Sequence, residues 1–326
     1  MQKKCLVLGA AFLFAASSMF AQVAEVDHSK DDKHCFNHLD VAVTAGSTGI
    51  GLDVAMPVCK IVQVRAGFTY MPHIFSDSQF GIQIGDEPGT KQEQKEKFDK
   101  MAGFVEQYLG TKIDQYINME RTPNMNNFKF LVDVFPFKNK KWHVTGGFYW
   151  GPSVIAKAEN AAIDGTSLVG VTMYNKFYDA AVNDEPIYNN VYLDPSLADK
   201  FIKYGRMSVH LGNFKGQVDE NGNPVPYRLV PNADNMIVCK LKVNSFKPYL
   251  GFGYGGALSK RSDTYHLSFD CGAMFWGGTP HLYTHDGTDL IHDVENVQGK
   301  VGDNVKFFKA LKVFPVLELR FSRKIF

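Results

Sequence analysis

Val62, Val64, Ala66, Phe68 and Tyr70 alternate with Gln63, Arg65, Gly67 and Thr69. Side chains of a strand point by turns to opposite faces, so this segment reads as a strand with one apolar and one polar face. The same two-residue period predicts about ten strands. They are Leu39–Ala45, Ile50–Val58, Ile61–Met71, Asn127–Phe137, Trp142–Ala156, Arg206–Phe214, Asn235–Val243, Phe246–Leu258, Thr264–Trp276 and Val313–Phe326. The sixth alternates least clearly.

The links between these segments are unequal. Those after the second, fourth and eighth strands are short, whereas those after the third, fifth and ninth run to about 55, 50 and 36 residues; short turns at one end and long loops at the other are the habit of a transmembrane barrel. The expectation is an all-β chain: one antiparallel up-and-down transmembrane β-barrel of about ten strands, with about eight to twelve admissible. It would span residues 39–326 with large outer loops near 72–126, 157–205 and 277–312. The stretch after the sixth strand is longer than an inner turn should be. Within the loops, Phe98, Met101, Ala102, Val105, Tyr108 and Leu109 recur at helical spacing and predict an amphipathic helix inside Gln92–Ile117. Shorter helices are expected at Asp194–Tyr204 and Asn304–Lys312.

The first residues add a destination. Lys3 and Lys4 precede an apolar run, Cys5–Ala16, of about twelve residues, too short to span a bilayer as a helix. Residues 1–21 read as a secretory signal ending at Ala21, and 22–38 as a flexible periplasmic tail. No later run is long and apolar enough for a transmembrane helix, which leaves a barrel or a soluble exported β-protein. Composition agrees with many strands and turns: 13% aromatic residues, 26 Phe, 14 Tyr and 29 Gly. A net charge of +1 gives no reason to expect nucleic acid as a partner.

With the apolar phase on lipid, the polar phase lists a lumen: Asp40, Asp53, Arg65, Lys129, Asp133, His143, Lys240, Lys242, His266, Asp270, Glu318 and Arg320. Both signs are present. A barrel of this size has little room beyond its own side chains, and unpaired buried charge is costly, so ion pairs filling a closed lumen are favoured over an open pore. A narrow porin or small-solute conduit lined by the same residues is the alternative. Tyr70, Trp142, Trp150, Tyr254 and Trp276 are candidates for aromatic girdles at the membrane interfaces.

Other motifs carry less. Thr44–Gly51 looks like a dinucleotide loop, but an alternating strand follows where such a loop needs a helix, so a glycine-rich hairpin turn is the better reading. His281, His285, Asp286, Asp289, His292 and Asp293 cluster in the last long loop, and Asp27, His28, Asp31, Asp32, His34 and His38 near the start. Both read as exposed polar runs rather than metal centres. Cys239 and Cys271 fall on apolar phases as small hydrophobes, and no nucleophile elbow is present. No catalytic, cofactor or metal residues are therefore expected, and an outer-membrane enzyme or a soluble periplasmic β-sandwich are the less favoured readings.

The signal Met1–Ala21, the alternating strands over Leu39–Phe326 and the terminal aromatic Phe326 together resemble small outer-membrane β-barrel proteins of Gram-negative bacteria. The resemblance implies residence in the outer membrane, lipid around the barrel, and Phe326 as the signal read by the barrel-insertion machinery. Phe326 itself is one residue out of phase with Leu317, Leu319, Phe321 and Ile325. Being architectural, the resemblance implies location more than activity; the leading functional expectation is a non-enzymatic barrel with a closed, charge-filled lumen and large surface loops for binding, adhesion or envelope integrity, toward an unknown surface ligand or small solute.

Overall fold

The structure, a computed structural model, describes residues 38–72, 78–85, 90–110, 112–259, 261–297 and 299–325. The expected signal, all of the expected tail but His38, Cys35 and Phe326 lie outside these residues.

The chain opens with β1 (Asp40–Gly46), β2 (Gly49–Cys59) and β3 (Val62–Tyr70), followed by two short strands, β4 (Ser78–Gly81) and β5 (Gln83–Ile84), and helix α1 (Lys91–Leu109). Next come β6 (Tyr116–Pro123), β7 (Asn127–Val134), β8 (Trp142–Trp150) and β9 (Val154–Asn160), then α2 (Gly165–Asn183) and α3 (Pro195–Tyr204). After these run β10 (Met207–Val218), β11 (Pro224–Leu229), β12 (Val238–Lys242), β13 (Phe246–Ser259) and β14 (Ser262–Phe275). The chain finishes with β15 (His281–Thr284), β16 (Val294–Glu295), α4 (Gly299–Ala310) and β17 (Val313–Lys324).

Eight of these strands close a barrel in the order β1-β2-β3-β7-β8-β13-β14-β17, the last pairing back to the first, and every neighbour is antiparallel. At one end the chain turns at 60–61, at 135–141 and between β13 and β14, and both described ends of the chain lie there. At the other end it turns tightly at 47–48 and makes three long excursions, 71–126, 151–245 and 276–312. The described parts of these excursions fold together as a cap.

The expected sixth and seventh strands exist, but they belong to the cap and not to the barrel. β10 pairs with β5, β11 and β16, and β12 pairs with β9 and β15 in a five-stranded sheet, β15-β12-β9-β6-β4. β12 alternates between the cap core, through Leu241, and water, through Lys240 and Lys242, a pattern that lipid and lumen would produce equally well, whereas β10 is buried on both faces over Met207, Ser208 and Val209. Moving these two strands removes the overlong inner turn that a ten-strand circuit required. The fifth expected strand also divides. It stops at Trp150, passes Gly151-Pro152-Ser153, and resumes as β9 in the cap sheet. Pro152 has no N–H to continue the barrel ladder.

α1 has a capping box between Thr90 and Glu93 and ends on Gly110 at φ 66°, a left-handed position that glycine occupies without strain. It buries Phe98, Met101 and Val105. α3 is capped by Asp194, whose carboxylate accepts from the Ser196 N–H. α2 is the helix the sequence pattern missed, as it missed the cap strands β4, β5, β6, β11, β15 and β16. Its glycines and β-branched residues, among them Gly165, Thr166, Val169, Gly170 and Val171, argue against a helix by propensity. Tertiary burial of Leu168, Val171 and Tyr174 decides otherwise. None of the described helices is long and apolar enough to cross a membrane.

The barrel exterior is a continuous apolar surface. Val43, Leu52, Phe68, Phe130, Val144, Phe252, Phe269 and Leu319 all stand exposed on it. Aromatic residues border it: Tyr70, Trp150, Phe246 and Phe275 toward the cap, and Trp142, Tyr254 and Tyr265 toward the short turns. Trp142 and Tyr254 touch at 4.9 Å between ring centroids. Trp276 departs from the girdle expectation. It is buried and stacks on Phe314 at 5.4 Å, under the cap.

Candidate functional site

The polar phase of the barrel strands converges inside. Arg65, on β3, is 1% exposed and forks between two carboxylates, with Nη1 2.7 Å from Asp270 Oδ2 and Nη2 3.0 Å from Asp133 Oδ1. The planar guanidinium suits such a two-sided grip. Asp270 Oδ1 lies 2.8 Å from His143 Nε2, and Thr145 donates its hydroxyl to Asp133 at 2.7 Å. Lys129 sits between Glu318 at 2.8 Å and Asp53 at 2.9 Å, with all three side chains buried. Arg320 donates from Nε to Ser268 Oγ at 3.1 Å and reaches Asp133 at 3.9 Å.

Thus these charged or titratable side chains meet inside the barrel in two buried clusters, Arg65, Asp133, His143, Asp270 and Arg320 in one and Asp53, Lys129 and Glu318 in the other. Asp40 is at the short-turn end, accepting from Gln63 at 3.2 Å near His38. His266 is half-buried at the same rim and pairs with Asp263. Lys240 and Lys242 are corrections: both lie exposed on β12 of the cap, outside the barrel.

Glycine makes room for both clusters. An added Cβ at Gly67 would come within 3.0 Å of the Asp53 carboxylate, and at Gly253 within 3.0 Å of both Asp270 and His143. Glycines on the inward phase of a narrow barrel thus let long charged side chains cross the axis.

Toward the cap the interior becomes apolar. Leu131, Tyr149, Tyr249, Met274 and Val316 from barrel strands pack with Met125, Ile155, Leu241, Val243 and Trp276 from the excursions. Tyr149 and Tyr249 meet edge to face at 5.4 Å. Lys247 was missed by the sequence reading, although it shares the inward phase of Tyr249. Fully buried, it donates to Asn127 Oδ1 at 3.0 Å and to the carbonyls of Pro152 and Ser245.

In the cap, the histidine-rich loop is more ordered than an exposed polar run. Asp289 is 3% exposed. Its Oδ2 lies 2.6 Å from His281 Nδ1 and 2.7 Å from His292 Nδ1, while Oδ1 accepts the N–H groups of Leu282 and Ile291. Burial works against the charge, but these hydrogen bonds outweigh it and hold the carboxyl below its ordinary 3.8. His281, Asp289 and His292 are of the types and spacing that could hold a metal ion, with ligand atoms within 4.8 Å of one another. Asp286 serves the fold instead, accepting from Tyr227, Thr284 and the Thr288 N–H. His285 approaches the Val238 N–H at 3.4 Å, and the Asp293 carboxylate accepts from the Asp289 N–H. Residues 46–49 form the tight β1–β2 hairpin, where Ser47 bonds to β17 through Pro315 O and Leu317 N.

No protein-family model and no curated protein matches the chain. Among solved structures, it is similar to CarO2 of Acinetobacter baumannii, with 15% identity over 88% of this chain and 98% of that one at a TM-score of 0.36. CarO of the same organism gives 13% identity, 88% and 97% coverage and a TM-score of 0.35. A major outer membrane protein from Thermus thermophilus gives 11% identity, 88% and 98% coverage and a TM-score of 0.26. The closed strand circuit, the apolar exterior with its aromatic borders and the charged interior make this chain a β-barrel of the outer-membrane type.

Proposed function

We propose that the protein is an outer-membrane anchor for a folded surface cap, with a lumen closed to diffusion and a non-enzymatic, ligand-binding role for the cap. One observation carries the closed lumen: Arg65 between Asp133 and Asp270, and Lys129 between Asp53 and Glu318, occupy the barrel interior as buried, ion-paired groups, with Arg320 as a further cation reaching Asp133. An aqueous path would have to part these pairs and then cross the apolar layer around Tyr149, Tyr249 and Met274. Export and cleavage of residues 1–21 belong to the same proposal, as do a ring of lipid on the apolar band and assembly by the barrel-insertion machinery through Phe326. The long excursions then face the outside and the short turns the periplasm.

Purified protein reconstituted in planar bilayers tests the reading. The expected result is no steady conductance. A reproducible single-channel current from the wild-type protein would overturn the closed lumen in favour of a conduit.

A further inference from the structure

The cap holds a cavity of about 150 Å³ in its core. One face of the five-stranded sheet supplies one wall, with Phe80 and Met119, and β10 and β11 supply the facing wall, with Leu211 and Leu229. α4 closes it through Val301 and Phe308. Cys239 also lines it, and burial pushes its thiol up to about 12, so it is present there as a small neutral hydrophobe. Protein interiors are close-packed, and an empty cavity destabilises in proportion to its volume. Apolar cavities of roughly this size take up a benzene-sized guest.

The edge of the cavity has a different chemistry. Arg121 on β6 lines it from the same face as Met119, and Lys300 lines it from the first turn of α4. Lys300 is exposed and Arg121 partly so, which marks where the cavity meets solvent. Among the described residues neither side chain has an ion-pair partner, whereas the neighbouring Lys157 is paired with Glu159 at 2.6 Å. Two unpaired cations beside a dry apolar cavity complement a molecule with a carbon body and one anionic end.

We propose that this cavity binds a small amphiphilic carboxylate, an aryl or short acyl acid, with its apolar part among Phe80, Met119 and Leu211 and its carboxylate between Arg121 and Lys300. The proposal rests on reading the cap as the binding part of the molecule and is independent of whether the lumen conducts.

Phenylacetate and its neutral isostere phenylacetamide, titrated calorimetrically against the full chain in lipid nanodiscs, test it. The expected result is saturable binding of phenylacetate, preferred over the amide by about tenfold or more, as a charge-assisted contact would give. The double variant Arg121→Gln/Lys300→Gln, which changes only the edge, is expected to erase that preference. Leu211→Trp, which fills the cavity, is expected to abolish binding of both compounds; resistance of the cap to limited proteolysis reports whether that variant is folded. Absence of saturable phenylacetate binding overturns the proposal, and so does equal affinity for the two compounds. Binding that survives in folded Leu211→Trp overturns it as well, by placing the guest elsewhere in the protein or in lipid.

Discussion

Arg65 shows how much a single side chain can organise. It grips both Asp133 and Asp270, and neither carboxylate has water to fall back on. Removing one partner of a buried pair costs about 3–5 kcal/mol, because the remaining charge stays buried. Arg65→Met is therefore expected to lower the unfolding free energy by about that amount in urea titrations of lipid-reconstituted protein. An unchanged midpoint would mean that the pairs are not maintained in the membrane. Asp289 makes the corresponding case in the cap. Its folded pKa lies below 3.8, so its contribution is fully present above that value and is lost as pH falls through the lower folded one. Amide exchange across 281–293 should quicken only at that acidic end, and Asp289→Asn should remove the pH step. Residue by residue, the lumen was readable because parity assigns a face. Lys240 and Lys242 have the right parity on the wrong sheet, and parity cannot tell one sheet from another.

At the scale of elements, the barrel strands and the cap elements obey different controls. Barrel strands are fixed by alternation and short turns, and their sequence boundaries come within a few residues of those observed, except that the fifth runs on past Trp150 into the cap strand β9. Cap elements depend on a shared core to which α1, α2, α3 and both cap sheets contribute. Phe201 of α3 is central there, 1% exposed and in ring contact with Phe104, Tyr174 and Phe177. Phe201→Ala should destabilise the cap by about 3–5 kcal/mol. Limited proteolysis should then cut within 71–126 or 151–245 while the heat-dependent gel shift of the barrel persists. Simultaneous loss of both would show that cap and barrel fold as one cooperative unit. α2 escaped the sequence reading for the same reason: its helix depends on that core and not on local propensity.

For the whole molecule, the apolar exterior sets the environment. Leu319 stands 49% exposed near the middle of β17, between neighbours Ala45 and Phe269 on the same surface. An arginine at a mid-membrane position on the lipid face of a barrel costs about 2–4 kcal/mol. Leu319→Arg is expected to reduce stability by that amount in lipid vesicles; no effect would argue that this face does not meet hydrocarbon.

The sequence by itself determined which face each strand presents, because side-chain parity is a local property of the backbone and needs no partner. From the same pattern came the unequal ends, the polar interior and the tight hairpin at residues 46–49. Tertiary structure decided which alternating strands close the circuit: eight, with β10 and β12 diverted into the cap. It also chose the partners within the lumen and left a cavity between two cap sheets edged by Arg121 and Lys300. These depend on contacts between residues far apart in the chain, such as Arg65 with Asp270 and Lys129 with Glu318. Alternation fixes a face, whereas only closure of the barrel fixes what that face meets.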